Sequence, residues 1–391
     1  MLNRYPAQIL FFCVLTLCAL GYVMLSSAVS TTAASSLSSG GMAPIMKTQA
    51  IWLGIGIVVF IISAHASPTH VIRLALPVFF LCVVLLSLCY VDGVGKSIKG
   101  ARRWVHIGGF TFQPSELAKF SLILFLAWWH QKFLHKNKTF FLGFVLPAGI
   151  ASILVLLVLF QKDVGTAALM FATMIIVMFV AGTRVRYLAL LCVVALLGLG
   201  FLVLNDPVRV RRLTSHIESQ EQQSALGAGY QQRQSIIALG SGGVEGLGLE
   251  RSLQKQFYLP EAHTDFIFAI IGEELGLRFT LLVVGCFSLI AVCGLSIASQ
   301  SKCNSHALLA TGIVASLCFQ AFINIGVVTS LLPNKGLPLP FISYGGSNLV
   351  VALAMVGILI SISRVMPRFA RPGQETEFGS EHLKHEKQAT A

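Results

Sequence analysis

The chain has 391 residues, 55% of them hydrophobic and 11% charged, with mean hydropathy +0.79 and net charge +12. A soluble domain carries about 25% charged residues, so that class is excluded and an integral membrane protein is implied. The positive charge does not point to nucleic acid, because the basic residues sit in short connections between apolar runs, as membrane topology requires. Anionic lipid or a phosphate-bearing lipid substrate is the better-matched partner.

Apolar runs near the ~20 residues that cross a bilayer fall at 8–28, 49–66, 72–90, 116–134, 141–160, 165–182, 186–204, 264–298, 306–331 and 343–363. They predict an all-α integral membrane protein of about ten transmembrane helices. The first run follows Arg4 and closes on SAVS at 27–30, in the manner of a signal peptide. Its core is longer than the usual ~7–15 residues, so it is expected to remain as the first helix. Eight of the nine cysteines fall inside the runs, and no disulfide or zinc spacing emerges; they read as apolar filler.

An even helix count puts both termini on one side, and Arg364, Arg368, Arg371, Lys384 and Lys387 make that side cytoplasmic. The chain then divides into a membrane domain, 1–365, and a polar cytoplasmic tail, 366–391. The connection 91–115 falls outside although it carries Lys96, Lys99, Arg102 and Arg103, which the positive-inside rule disfavours. The longest connection, 205–263, also falls outside, between the seventh and eighth helices; connections of that length tend to be functional. Its glycines match neither nucleotide-binding spacing, and a short helix is predicted at 228–239 ahead of most of them. No internal repeat supports the inverted-repeat design of many transporters.

Five segments gather polar residues at the predicted outer ends of helices. The first, GARRW at 100–104, pairs Arg102 and Arg103, whose guanidiniums either fork onto phosphate oxygens or bind anionic headgroups. In QPSELAK at 113–119, Glu116 and Lys119 share a face three residues apart, as a structural ion pair or as the tuned wall of a polar cavity. QKDVGT at 161–166 sets Asp163 at a helix start, a capping position. The loop 332–347 is rich in proline and glycine and carries Lys335, Ser343 and Tyr344.

The fifth segment, 258–274, brings Asp265 to the mouth of an apolar run, where a carboxylate is costly to desolvate and marks a functional site. Helix capping is its bland alternative, and Glu261, His263 and Asp265 read as a metal triad only weakly, being too short a set to prove a zinc site. Deeper in the run, Glu274 and Arg278 stand four apart and are expected to satisfy each other, which gives Glu273, Glu274 and Arg278 a structural role. Gln320 and Asn324 read as hydrogen-bonding glue between helices.

Together these segments resemble the SEDS family of bacterial membrane proteins, for shape, elongation, division and sporulation. The pieces GARRW at 100–104, QPSE at 113–116 with Lys119, DVGT at 163–166, GYQQRQS at 229–235, 258–274 and 332–347 follow the family's order over most of the membrane domain. The run YLPEAHTD at 258–265, continued by AIIGEE at 269–274, is more similar to the division branch than to the elongation branch. In the latter, Arg commonly replaces Ala262 and Ala replaces Gly272. Lys162 stands where the family usually has proline, and Phe257 where an acidic residue is frequent, so no role is carried over to those two.

The resemblance implies a peptidoglycan glycosyltransferase that polymerises lipid II into β-1,4 glycan strands during division. It implies a multi-pass protein of the bacterial cytoplasmic (inner) membrane, concentrated at the septum. A class B penicillin-binding protein, which cross-links the product, and other division proteins are its implied partners. Asp265 is the implied catalytic residue, either as general base on the acceptor sugar hydroxyl or as a fixed or metal-holding charge. Arg102, Arg103, Gln113, Glu116, Lys119, Asp163, Gln234, Ser235, His263, Lys335, Ser343 and Tyr344 form the implied substrate-binding set. No nucleotide and no resident metal ligand set is expected, although a divalent cation, Mg2+ or Mn2+, would suit the pyrophosphate leaving group. Two readings of other classes remain: a lipid II flippase or proton-coupled transporter using Asp163, Glu116 and Lys119 as a relay, and a division scaffold.

Overall fold

The computed structural model describes residues 5–35, 43–91, 93, 95–98, 101–107, 110–204, 228–255, 259, 263–333 and 336–365. Each of the ten apolar runs carries a helix. In chain order these are α1 (Pro6–Ser35), α2 (Ala43–His65), the short α3 (Pro68–Arg73) leading into α4 (Ala75–Leu88), α5 (Pro114–Lys132), α6 (Leu146–Phe160), α7 (Val164–Val180) and α8 (Val185–Leu204). After the long connection come α9 (Ala228–Gly242), where a short helix was expected, then α10 (Ile267–Gln300), α11 (Asn304–Val328) and α12 (Gly346–Val365).

Helices satisfy their own backbone groups, which lipid cannot do. Among the described residues six are long and apolar enough to cross a membrane, and three shorter apolar helices accompany them. The predicted polar tail 366–391 and Arg4 lie outside the described residues.

The bundle is built around α5, α11 and α12. Leu122 to Ala127 of α5 are all buried, as are most positions of α11 and α12. The outer helices present apolar side chains such as Ile62 of α2 and Leu197 of α8 to the surroundings, as lipid contact demands. α2 packs along α12, and Arg364 Nη1 donates to the Ala64 carbonyl at 3.1 Å.

The connection 91–115 is not an irregular loop. It holds a three-stranded antiparallel sheet, β1 (Gly95–Ile98), β2 (Ala101–Ile107) and β3 (Phe110–Phe112), in that order, with Gly95 opposite Val105 and Val105 opposite Phe112. Strand side chains alternate between faces. Val105 is buried while Arg102 and His106 are exposed, and the register shifts so that Arg103 has no partner residue on β1. Arg102 and Arg103 are engaged by different carbonyls, Tyr90 for the one and Gln161 and Lys162 for the other, rather than acting as one fork.

The second departure lies inside α10. Gly276 (φ 75°, ψ −171°) breaks the helix, leaving 267–275 as a short helix ahead of the main span. Glycine is needed there because that backbone conformation excludes a Cβ, and an added one would also strike the backbone of Gly246 and Val244. The break shifts the helical phase between Glu274 and Arg278. Glu274 therefore pairs with buried Lys255 at 2.8 Å, and Arg278 pairs with Glu245 at 2.9 Å on the surface, which corrects the expected Glu274 to Arg278 pairing.

Candidate active site

Polar groups converge where α5, α7, α10 and α12 begin and α6 and α11 end. The organiser is the loop 336–345, whose carbonyls are taken up by side chains of neighbouring helices. Asn324 of α11 donates from Nδ2 to the carbonyls of Leu337 (2.7 Å) and Asp265 (2.8 Å). Gln320, one turn back, donates to Pro338 O (2.8 Å) and Asn348 Oδ1 (3.1 Å). These two amides do more than join helices: they bind the loop and the chain just ahead of α10 to one another.

Ser343 completes that junction. Its hydroxyl donates to the Thr264 carbonyl (2.6 Å) and accepts from the Leu339 N–H (2.8 Å), while the Tyr344 N–H donates to His263 O (3.1 Å). The His263 and Tyr344 rings lie 6.1 Å apart, and burial pushes the Tyr344 phenol up from its ordinary value, keeping it a proton-bearing donor. Asp265 is half-buried, with its carboxylate packed against Gly336. A Cβ at position 336 would collide with Asp265 Oδ2, so the residue that lets the acid sit there is the one with no side chain.

Behind this junction stands α5. Lys119 Nζ lies 2.7 Å from Glu116 and donates at 2.6 Å to Gln320 Oε1, with both charged side chains almost wholly buried. The contact to Glu116 Oε2 is ionic rather than an aligned hydrogen bond. The chain Glu116, Lys119, Gln320, loop carbonyls and Asp265 is thus continuous. Gln113 joins from the helix start: its N–H donates to Ser347 Oγ of α12 at 3.1 Å.

A second group adjoins the first. Arg103 donates to the carbonyls of Lys162 (2.6 Å) and Gln161 (3.4 Å) and lies 3.7 Å from the Asp163 carboxylate, which caps α7 through the Thr166 N–H (3.1 Å). Lys162 holds φ 63°, a left-handed value that proline's ring forbids. The start of α7 meets the organising loop directly, since a Cβ on Gly165 would stand 3.2 Å from Leu337. Arg102 donates to Tyr90 O (3.2 Å) and is exposed.

Of the substrate-binding set, Gln113, Glu116, Lys119, His263, Ser343 and Tyr344 gather with Asp265, and Arg103 with Asp163 forms the adjoining group. Ser235 is fully buried and docks α9 onto the end of α11 by donating to Val328 O (2.7 Å); Gln234 beside it is half-buried. Lys335 and Glu261 lie outside the described residues, and among the described residues no cluster of three or more metal-ligating side chains occurs. Sequence reasoning missed Gln232, whose amide donates to Val327 O (3.2 Å) and Leu332 O (2.7 Å) and so fixes where the organising loop begins. Its place inside GYQQRQS was the available signal.

The family described as cell cycle protein, FtsW/RodA/SpoVE, matches residues 7–367. The chain belongs to the FtsW/RodA/SpoVE family. The family's relatives include a Geobacter metallireducens protein named probable peptidoglycan glycosyltransferase FtsW, 40% identical over 365 residues, covering 93% of this chain and 96% of that one. Stage V sporulation protein E of Bacillus subtilis is 38% identical over 363 residues, covering 92% and 97%. Among FtsW/RodA/SpoVE structures, rod shape determining protein RodA of Thermus thermophilus superposes with TM-score 0.66 at 29% identity, covering 91% and 95%. A chain from a peptidoglycan synthase complex that coordinates polymerization and crosslinking gives TM-score 0.71 at 28% identity, covering 91% and 96%.

Proposed function

We infer that this protein is a peptidoglycan glycosyltransferase that polymerises lipid II at its outward-facing end, serving septal wall synthesis. The observation that carries the reading is that the loop 336–345 lies against both groups: Leu337 next to Gly165 at the start of α7, beside Asp163 and Arg103, and its carbonyl tied with that of Asp265 to Asn324. It supports a site in which Asp265 and Arg103 serve one substrate, at an end of the bundle where four helices begin and their N-termini favour negative charge. That is the pairing a sugar pyrophosphate transfer needs.

In the reaction, Asp265 accepts the proton of the acceptor sugar 4-hydroxyl as its oxygen attacks the donor anomeric carbon. The bond to the undecaprenyl pyrophosphate breaks on the opposite face, which inverts the centre and yields the β-1,4 link. The leaving pyrophosphate gains charge as it departs, and Arg102, Arg103 and Lys335 are the side chains assigned to stabilise it. The donor arrives activated, so no nucleotide is required.

Glu116 and Asp163 already face Lys119 and Arg103, which leaves Asp265 as the carboxylate that would hold a divalent ion arriving with the pyrophosphate, in the alternative reading in which Asp265 is a fixed charge rather than the base. Mg2+ or Mn2+ bound there would neutralise phosphate charge. The chain works with a class B penicillin-binding protein, with both termini in the cytoplasm.

The deciding experiment gives purified protein, with that partner, lipid II in detergent or vesicles. Glycan polymer should form, and Asp265→Asn should lower the rate about 10²–10⁴-fold, the usual contribution of a general base. Unchanged polymerisation by that variant would sink the base assignment, and translocation of lipid II without polymer would favour a flippase.

A further inference from the structure

Asp265 and Glu274 stand at opposite ends of one short rigid element. The helix 267–275 is severed from the main span at Gly276, and at ~1.5 Å per residue it is about 14 Å long. Its leading end is held by Asn324, Ser343 and Tyr344, as described above. Its trailing end is held by the connection 243–255, in a buried charged cluster that the sugar-transfer reaction does not use.

The trailing clamp begins with the backbone. At the break the carbonyls of Glu273 and Glu274 accept from the N–H groups of Leu247 and Gly248, each at 2.9 Å. Side chains follow. Glu273 accepts from the Ser252 hydroxyl and from the N–H groups of Leu253 (2.9 Å) and Gln254 (3.3 Å). Glu274 accepts from Ser27 of α1 (2.6 Å) and from Lys255 Nζ (2.8 Å), which also donates to Ser27 (3.0 Å). The Lys255 and Glu274 side chains have no exposed surface.

We propose that Lys255 is a positioning residue for Asp265: by locking the trailing end of 267–275 onto α1 and the connection 243–255, it fixes the angle at which the leading end presents the carboxylate. This rests on the glycosyltransferase reading of the Asp265 site. Without the Lys255 anchor the trailing end keeps, among the described residues, only the Glu273 contacts, the hydrogen bonds of Glu274 to Ser27 and Ser252, and two backbone hydrogen bonds. The helix can then pivot on Gly276 and drag its leading contacts with it. A tilt of a few degrees over its length moves Asp265 by about 1 Å, and a displacement of that size costs on the order of 10²-fold in rate. A buried ion pair is a poor source of stability compared with apolar packing, so its presence at a point that must not shift fits a geometric duty.

The test separates geometry from stability. The double variant Lys255→Met with Glu274→Gln removes both charges of the pair, so that neither member is left stranded, and keeps the neutral donors of Glu273. Assayed as full-length protein with its penicillin-binding partner, it should keep the parent melting temperature to within a few degrees. Its kcat should fall about tenfold or more while KM for lipid II changes less than about twofold, and amide exchange should quicken selectively in 263–270 and 336–345. Parent-like kcat in a stable double variant would overturn the proposal, as would slowed turnover with no change in exchange at 336–345.

Should the double variant fail to fold, Ser27→Ala trims the same cluster by one hydroxyl and should give the same pattern at smaller amplitude; parent-like turnover and exchange there would overturn it equally. If the parent itself makes no glycan, the polymerase reading falls, and the exchange measurement still decides whether Lys255 governs order around Asp265.

Discussion

The protein buries two carboxylate–lysine pairs close to its functional end, and they are built differently. Glu274 and Lys255 are saturated, with Ser27 bridging both and the Ser252 N–H adding a further contact to Glu274 at 3.4 Å. Glu116 and Lys119 are not: Lys119 is shared with Gln320, and Glu116 Oε2 accepts no aligned hydrogen bond among the described residues. A saturated pair has nothing left to offer a substrate and serves to hold shape. A pair with spare capacity, wired through Gln320 to the loop that carries Gly336, can answer charge arriving beside it.

Substitutions can separate the two roles. The largest effect on stability is expected from Lys255→Met alone, which strands Glu274 in a sealed site and should cost about 3–5 kcal/mol, seen as a lowered thermal midpoint of the purified protein. Glu116→Gln should instead act on substrate, changing KM for lipid II as Lys119 is released toward anionic groups. Equal KM in the two proteins would erase the distinction drawn here.

A smaller stability effect tests the path between the pairs. Gly336→Ala leaves every charge in place but drives a Cβ into the Asp265 carboxylate, and should slow polymerisation about 10²-fold while melting close to the parent. Arg103→Lys keeps the charge near Asp163 but loses the planar group that donates to the Lys162 carbonyl, at about 0.5–1.5 kcal/mol, measurable by thermal unfolding. The least effect belongs to Arg278→Ala. Its pair with Glu245 is two-thirds exposed or more, and such pairs contribute at most about 1 kcal/mol.

The helices were legible because lipid imposes one rule, a sustained apolar run, that a single sequence displays openly. The strand ARRWVHI hid because its alternation involves charged and aromatic residues as much as apolar ones, and only pairing with Gly95 and Phe112 makes it a sheet. Glu274 and Arg278 were misread for a local reason: spacing rules assume an unbroken helix, and a glycine within an apolar run does not announce that it will take φ 75°. Gln320 and Asn324 were recognised as hydrogen-bonding residues, but their partners are loop carbonyls tens of residues or less away in sequence and known only from the fold. The titratable residues were easy to find; the amides and glycines that aim them were not.

The break at Gly276 also changes how the protein meets its membrane. α10 has 34 residues, about 51 Å if continuous, against a hydrocarbon core of ~30 Å. The part after the break, 277–300, is by itself about 36 Å and sufficient to cross. A bilayer of different thickness would be met by tilting that span, with the glycine as the joint that takes up the change. Polymerisation in vesicles of shorter and longer acyl chains should accordingly run at similar rates, so that the enzyme's geometry is referenced to its own loops rather than to the lipid around it.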